Sequence, residues 1–186
     1  PEMSRGLGDV YKRQDPDGAK KLLEESGWTD TDGDGYVDKD GQKLSINWLT
    51  YPTRLEQPKL AEYAQATLKD IGIDVQVNNT SDHRTFAENG EFDVYVSSTT
   101  TAPTGDPEYF FTSTVVGSKN YGNYQNEEVT KLTEQLHQTF DKDERGKLAT
   151  ELQQDILDDD AFFFVSHLNM GIVTKSNVTG MAAHPC

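Results

Sequence analysis

The stretch from Lys43 to Asn79 constrains this chain more than any other, because it reads strand, helix, strand with almost nothing between them. "KLSINWLT" (43–50) puts Leu44, Ile46 and Trp48 on one face by period-two alternation. Pro52 ends that strand. In "LEQPKLAEYAQATLKDIG" (55–72), Leu60, Ala64, Leu68 and Ile71 recur at helical spacing, and Gly72 closes the helix. "IDVQVNN" (73–79) is the next strand. Joints this tight select a βαβ unit with parallel strands and a right-handed crossover. A short helix near 82–89 and a strand "FDVYVSS" (92–98) continue the alternation, so the expected fold class is α/β.

On the N-terminal side, "DPDGAKKLLEESG" (15–27) reads as a helix capped by Asp17 and stopped by Gly27. Beyond the alternation, "TTTAPTGDPEYFF" (99–111) and "NYGNYQN" (120–126) read as loops. Long loops inside α/β domains often carry function. Two helices follow. Val129, Leu132, Leu136 and Phe140 line one face of 127–140, and Leu148, Leu152 and Ile156 line one face of 143–158. Asp141 followed by Glu144 has capping-box spacing. "AFFFVSHLNMGIV" (161–173) reads as a strand or pair of strands, buried on both sides at its start. Residues 1–14 show no periodicity. Their "DVYKRQ" is the translation of GAT-GTG-TAT-AAG-AGA-CAG, which resembles a transposon end used in sequencing libraries, so the segment is expected to be adapter and to lie outside the fold.

Charge narrows the partners. A formal charge of -15 and a pI near 4.5 disfavour nucleic acid and anionic lipid. No apolar run approaches the roughly 18–20 residues of a membrane span. The single cysteine, Cys186, allows no internal disulfide and leaves the compartment undecided. There is no GxSxG, no phosphate-binding GxxxxGK[ST] and no GxGxxG, and the serines at 97, 98 and 113 have no evident base. The acidic pairs Glu24–Glu25, Glu127–Glu128 and Asp158–Asp160 read as solvated helix ends. Catalysis is therefore not expected.

Two features touch on metals. In "GWTDTDGDGYVDKDGQ" (27–42), counting from Asp30, Asp32 and Asp34 fill positions 3 and 5 of a calcium loop, Gly35 position 6 and Asp38 position 9. Position 12 is Gly41, where the bidentate acid should stand. A β-hairpin with "KDG" at its tip is the favoured reading. Weak, millimolar-range calcium binding through Asp30, Asp32, Asp34 and Asp38 is the alternative. His83, His137, His167 and His184 form no short metal pair. His137 is expected at the surface, and His167, beside the apolar run, is the one histidine expected to point inward.

Taken in order, "AKKLLEESGWTDTDGDGYVDKDGQKLSINWLT", "LAEYAQATLKDIGIDVQV", "FDVYVSS…GDPEYFF" and "NYQNEEVTKLTEQLHQTFDKDERGKLATELQQDILDDDAFFFVSHLNM" resemble the C-terminal part of extracytoplasmic solute-binding proteins of ABC importers, the peptide/nickel/opine group (family 5). The resemblance covers 15–186 and makes the Asp-Gly segment a common family turn. It implies a lobe of the two-lobed, type II periplasmic-binding-protein-like fold. Residues 15–165 would be the second lobe, and 166–186 the crossing strand with the start of the return into the first. It implies capture of a nickel chelate or an oligopeptide, delivery to importer permease subunits, a monomer, and a place in the periplasm or on a membrane-anchored lipoprotein. It requires no cofactor. Peptide-binding relatives carry a tryptophan and an aspartate in the loop after "FDV"; here stand threonines and a proline, with Asp106 in a structural "DP" step. "TAPTGDP", "FVSHLNM" and "AHPC" look closer to the nickel branch, which favours a nickel chelate over a peptide. The contacts so implied are Thr100, Thr101, Pro103, Thr104, Tyr121, Tyr124 and His167, the last able to ligate nickel while a chelator fills the other positions. The alternatives are a hydrolase fragment and a calcium-dependent structural or adhesion module built on the Asp-Gly loop.

Overall fold

A computed structural model describes residues 15–99, 105–165 and 174–180; the expected adapter at 1–14 and the expected strand over 166–173 lie outside them. The chain divides into two compact units, with the boundary between Ser97 and Ser98.

The first unit opens with α1 (Pro16–Glu25). Asp15 caps it in place of Asp17: the Asp15 Oδ1 accepts the Gly18 amide at 2.9 Å, and Pro16 takes the first helical position, where a missing N–H costs nothing. A hairpin follows, β1 (Asp38–Lys39) antiparallel to β2 (Gln42–Lys43). Asp40 and Gly41 form its tip with φ of 54° and 74°, as a two-residue turn with both φ positive requires.

The βαβ alternation is realised. β3 (Ser45–Thr50), α2 (Glu56–Lys69), β4 (Asp74–Asn79), α3 (His83–Glu88) and β5 (Val94–Tyr95) build a three-stranded sheet in the order β4-β3-β5, all parallel. Leu49 and Thr50 point to opposite faces and are both fully buried, so the end of β3 is covered on both sides, not on the single face the alternation suggested. Ala61, Ile73, Val75 and Ala87 complete this core. β5 is shorter than the expected 92–98. At one end the Asp93 carboxylate accepts the Asn47 amide (2.7 Å), taking a place that a backbone carbonyl would fill in a continued ladder. Past Tyr95, the Val96 N–H still reaches Leu49 O at 3.1 Å.

The second unit begins its regular structure where a loop was expected. Residues Glu108–Phe110 (α4) run directly into a π-helical turn, Phe111–Val115. The turn starts because Asp106 Oδ1 accepts the Glu108 amide at 2.9 Å, and it persists because Phe111 and Val115 are buried. α5 (Glu127–Gln138) is capped by Asn126, and α6 (Lys142–Asp158) by Asp141, whose carboxylate accepts the Asp143 and Glu144 amides. Their apolar stripes meet in one core: Phe111, Val115, Val129, Leu132, Leu136, Leu148, Ala149, Leu152 and Ile156. Phe140 does not join it. The helix ends at Gln138, and Phe140 sits in the turn, 92% exposed. Residues 161–165 form no strand. Phe162 and Phe164 pack on the Phe110 ring, while Phe163 is 75% exposed, so the run is covered on one side only.

Candidate functional site

The sheet of the first unit offers a candidate site by its topology. From β3 the chain crosses to β4 on one side and then returns past β3 to β5 on the other, so the order reverses between β3 and β5. Open α/β sheets bind ligands at such a point, outside the carboxyl ends of the strands. Three aromatic residues from three elements converge there. Tyr51 follows β3, His83 opens α3, and Tyr95 ends β5. The His83 ring stacks on Tyr51 at 4.0 Å between centroids, and its Nδ1 lies 2.6 Å from the Tyr95 hydroxyl. Burial, followed by the nearby Arg84 charge, lowers the His83 pKa, and Asp82 opposes them. His83, which the sequence did not single out as inward-facing, is thus a half-buried histidine with two ring partners. Its partners stand far away in sequence, and only its place at the start of a short helix behind a strand hinted at it. Nearby in the chain, Trp48 Nε1, Thr50 Oγ1 and Gln57 Oε1 are buried without a hydrogen-bond partner among the described residues.

In the second unit, Tyr121 is half-buried in the 120–126 loop, whose shape is set by Asn120: its Oδ1 accepts the Tyr124 amide and its Nδ2 donates to the Tyr124 carbonyl. Tyr124 packs edge-on against Phe162 and donates its hydroxyl to Asp159 at 2.5 Å. Burial and that carboxylate push the Tyr124 pKa up to about 12. Thr100, Thr101, Pro103, Thr104 and His167 lie outside the described residues.

Asp106 is fully engaged. Arg145 Nη2 reaches both of its oxygens at 2.7 Å and Glu108 Oε2 at 2.9 Å, while Arg145 Nη1 donates to the Leu136 and Thr139 carbonyls. His137, at the surface as expected, meets the other Glu108 oxygen at 2.6 Å. Burial would raise the Asp106 pKa, but the Glu108 amide and Arg145 outweigh it and hold the carboxyl low. For Glu108 the His137 and Arg145 hydrogen bonds do the same. An acid so paired is a staple between elements, not a free anion for a ligand.

The Asp-Gly loop brings Asp30, Asp32 and Asp38 together, with one oxygen from each within 4.8 Å of the others. Asp34 turns away to Lys43, at 2.5 Å, whose ammonium also lies over the Tyr36 ring. That hydrogen bond is the main reason for the lowered Asp34 pKa. The remaining oxygens serve the backbone: Asp30 accepts the Gly33 and Gly35 amides, Asp32 accepts that of Asp34, and Asp38 holds Thr31 by amide and hydroxyl. The loop docks on the end of α2 through Val37 N–H to Gly72 O at 2.7 Å.

Comparison with known proteins places these features in a family. Residues 1–122 match the model of the bacterial extracellular solute-binding proteins, family 5, middle region, a range that includes the fourteen residues set aside above. Oligopeptide-binding protein AppA of Bacillus subtilis is 30% identical over 172 residues, 90% of this chain and 32% of the relative. The nickel-binding periplasmic protein of Escherichia coli is 27% identical over 188 residues, 96% of this chain and 35% of the relative. Among solved structures, AppA in complex with a nonapeptide superposes with a TM-score of 0.67 at 29% identity, covering 80% of this chain and 30% of that one. NikA from Staphylococcus aureus in complex with Ni(L-His)2 superposes with a TM-score of 0.66 at 29% identity, covering 76% and 29%. The chain spans about a third of the length of the curated relatives it matches. With its parallel βαβ sheet, helical second unit and Asp-Gly turn, the chain belongs to family 5 of the bacterial extracellular solute-binding proteins.

Proposed function

We propose that the protein captures a small ligand outside the cytoplasmic membrane, in the periplasm or as a lipid-anchored protein, and delivers it as a monomer to the permease subunits of an ABC importer, without catalysis. The family match over residues 1–122 supports this reading. The cargo we favour is a nickel chelate. The observation behind that choice is the state of Asp106. It is the acid nearest the 99–106 loop, and Arg145 holds both its oxygens. Burying a peptide's ammonium without a free carboxylate beside it costs several kcal/mol on the order of what a lost ion pair costs. The second reading, an oligopeptide, is favoured by the likeness to AppA.

The contacts we assign to the cargo are Thr100, Thr101, Pro103, Thr104, Tyr121, Tyr124 and His167, with His167 as the nickel ligand. Titration of the full-length protein with nickel plus L-histidine, and separately with a peptide pool, tests the assignment. His167→Ala should weaken nickel-chelate binding about tenfold, near 1.4 kcal/mol, and leave peptide binding little changed. Tight peptide binding, with nickel binding indifferent to the substitution, would establish the oligopeptide reading instead.

A further inference from the structure

α2 begins without a side-chain cap, with Leu55 at the capping position. Of the donors at this end, the Gln57 amide turns back to the Arg54 carbonyl at 3.1 Å, and Pro58 has no N–H. The Leu55 and Glu56 amides are left without an acceptor among the described residues. Helix starts of this kind carry partial positive charge and favour anions. Water alone could satisfy them, but Gln57 adds an independent observation. It is the second residue of the helix, so its side chain leans back toward the helix start. It is only 3% exposed, and its Oε1 is enclosed with no hydrogen-bond partner among the described residues. An amide left so destabilises the fold. Because no partner holds it one way round, a half-turn of its last torsion presents Nε2 where Oε1 stands. Arg54, exposed just before the capping position, has no ion pair among the described residues.

The surrounding charge selects the anion. Glu56 puts its own carboxylate in the same first turn, and the chain carries a net charge of -15. Both act against a multiply charged group such as a phosphate. A single carboxylate, with one charge and two acceptor oxygens, matches two amides, one guanidinium and one side-chain amide. We propose that the N-terminus of α2 binds the carboxylate of a small organic ligand, received by the Leu55 and Glu56 amides, the Arg54 guanidinium and the Gln57 amide. β3 ends at Thr50 and α2 starts at Glu56, so this site stands at the carboxyl end of the sheet. That the carboxylate is the cargo's rests on the reading above: a peptide brings one at its C-terminus, and L-histidine brings one to a nickel chelate. The binding of a carboxylate does not rest on it.

Three titrations of the full-length protein separate these. In the first, sodium acetate should shift the amide resonances of Leu55 and Glu56 and leave those of α1, which Asp15 caps, in place. Thr53→Asp sets a built-in carboxylate two and three residues before the free amides, the spacing of an N-cap, and should abolish those shifts. The second compares nickel plus L-histidine with nickel plus histidinamide, and the third a peptide with a free C-terminus with the same peptide amidated. In the arm that carries the true cargo, the wild type should bind the acid form about tenfold more tightly than the amide form. Thr53→Asp should erase that preference. Gln57→Leu should reduce it about threefold, leave the affinity for the amide form as it was, and raise the melting temperature, which the loss of a merely structural glutamine would lower. A preference in the nickel arm identifies the chelator as the source of the carboxylate, and one in the peptide arm the C-terminus. Absent acetate shifts overturn the proposal, as does a preference that survives Thr53→Asp. Acetate shifts with no preference in either arm keep the site and overturn its part in holding the cargo. A wild type that binds neither cargo overturns the cargo reading, while acetate still decides the site. If Gln57→Leu does not fold, Thr53→Asp, at an exposed position, decides by itself.

Discussion

Thr50 carries a hydroxyl that is 0% exposed and has no partner among the described residues. Such a group gives up its water and gains nothing, at a cost of about 1–3 kcal/mol. Thr50→Val removes the hydroxyl with little change in shape and should raise stability by roughly 1 kcal/mol in urea denaturation. A loss of stability would mean that the hydroxyl is bonded. Gly72 is constrained in the opposite sense. Its φ is +81°, and a Cβ built on it would lie 2.9 Å from Val37 Cγ1 and 3.2 Å from the Val37 nitrogen. Gly41, at φ +74°, has open space around it. Asn tolerates positive φ, so Gly41→Asn should leave the melting temperature nearly unchanged, whereas Gly72→Asn should lower it by several degrees, on the order of 1 kcal/mol or more. At this scale the chain was legible where a residue acts on its neighbours. Gly27, Gly41 and Asp141 all do their work within a few positions. His83 was not legible, since its role is made by Tyr51 and Tyr95, which only the sheet brings near.

Arg145 binds elements more than it binds residues. Its guanidinium joins the start of α4 through Asp106 and Glu108 to the end of α5 through the Leu136 and Thr139 carbonyls. Arg145→Met should cost roughly 2 kcal/mol, a figure kept low because Asp106 is partly open to solvent. The same site makes stability depend on pH. Both carboxyls are held below their ordinary values of 3.8 and 4.5, so their contribution is complete above that range and is lost as pH falls through it and below. Urea titrations from pH 6 downward should show this acid loss in the wild type and a flatter profile in Arg145→Met. The Asp-Gly loop is the other element with a direct test. Its carboxylates are already spent on amides, Thr31 and Lys43, so a chelator or a calcium addition should leave the melting temperature unchanged. A large gain with micromolar calcium would restore the loop to the class of cation sites. Helices with an apolar stripe and strands with tight joints could be read from the sequence. The π-helical turn at 111–115 could not, because it follows a staple whose two halves, Asp106 and Arg145, are separated in sequence by the turn itself, a loop and the whole of α5.

At the scale of the whole molecule, the α/β alternation and the family were both legible, since each rests on order along the chain. The division between Ser97 and Ser98 was not, because a boundary of this kind is a property of which contacts form and which do not. That boundary also decides what a spectroscopist would see. Both tryptophans, Trp28 and Trp48, precede it. Intrinsic indole emission therefore reports the first unit alone, while backbone circular dichroism reports helices on either side of the divide. If the units melt independently, Arg145→Met will shift the dichroism curve and leave the emission curve where it was, and no single midpoint will describe the protein. If the emission curve moves as well, an unfolding free energy fitted to it belongs to both units, and the tryptophans will have signalled the loss of an arginine in a unit that contains none of them.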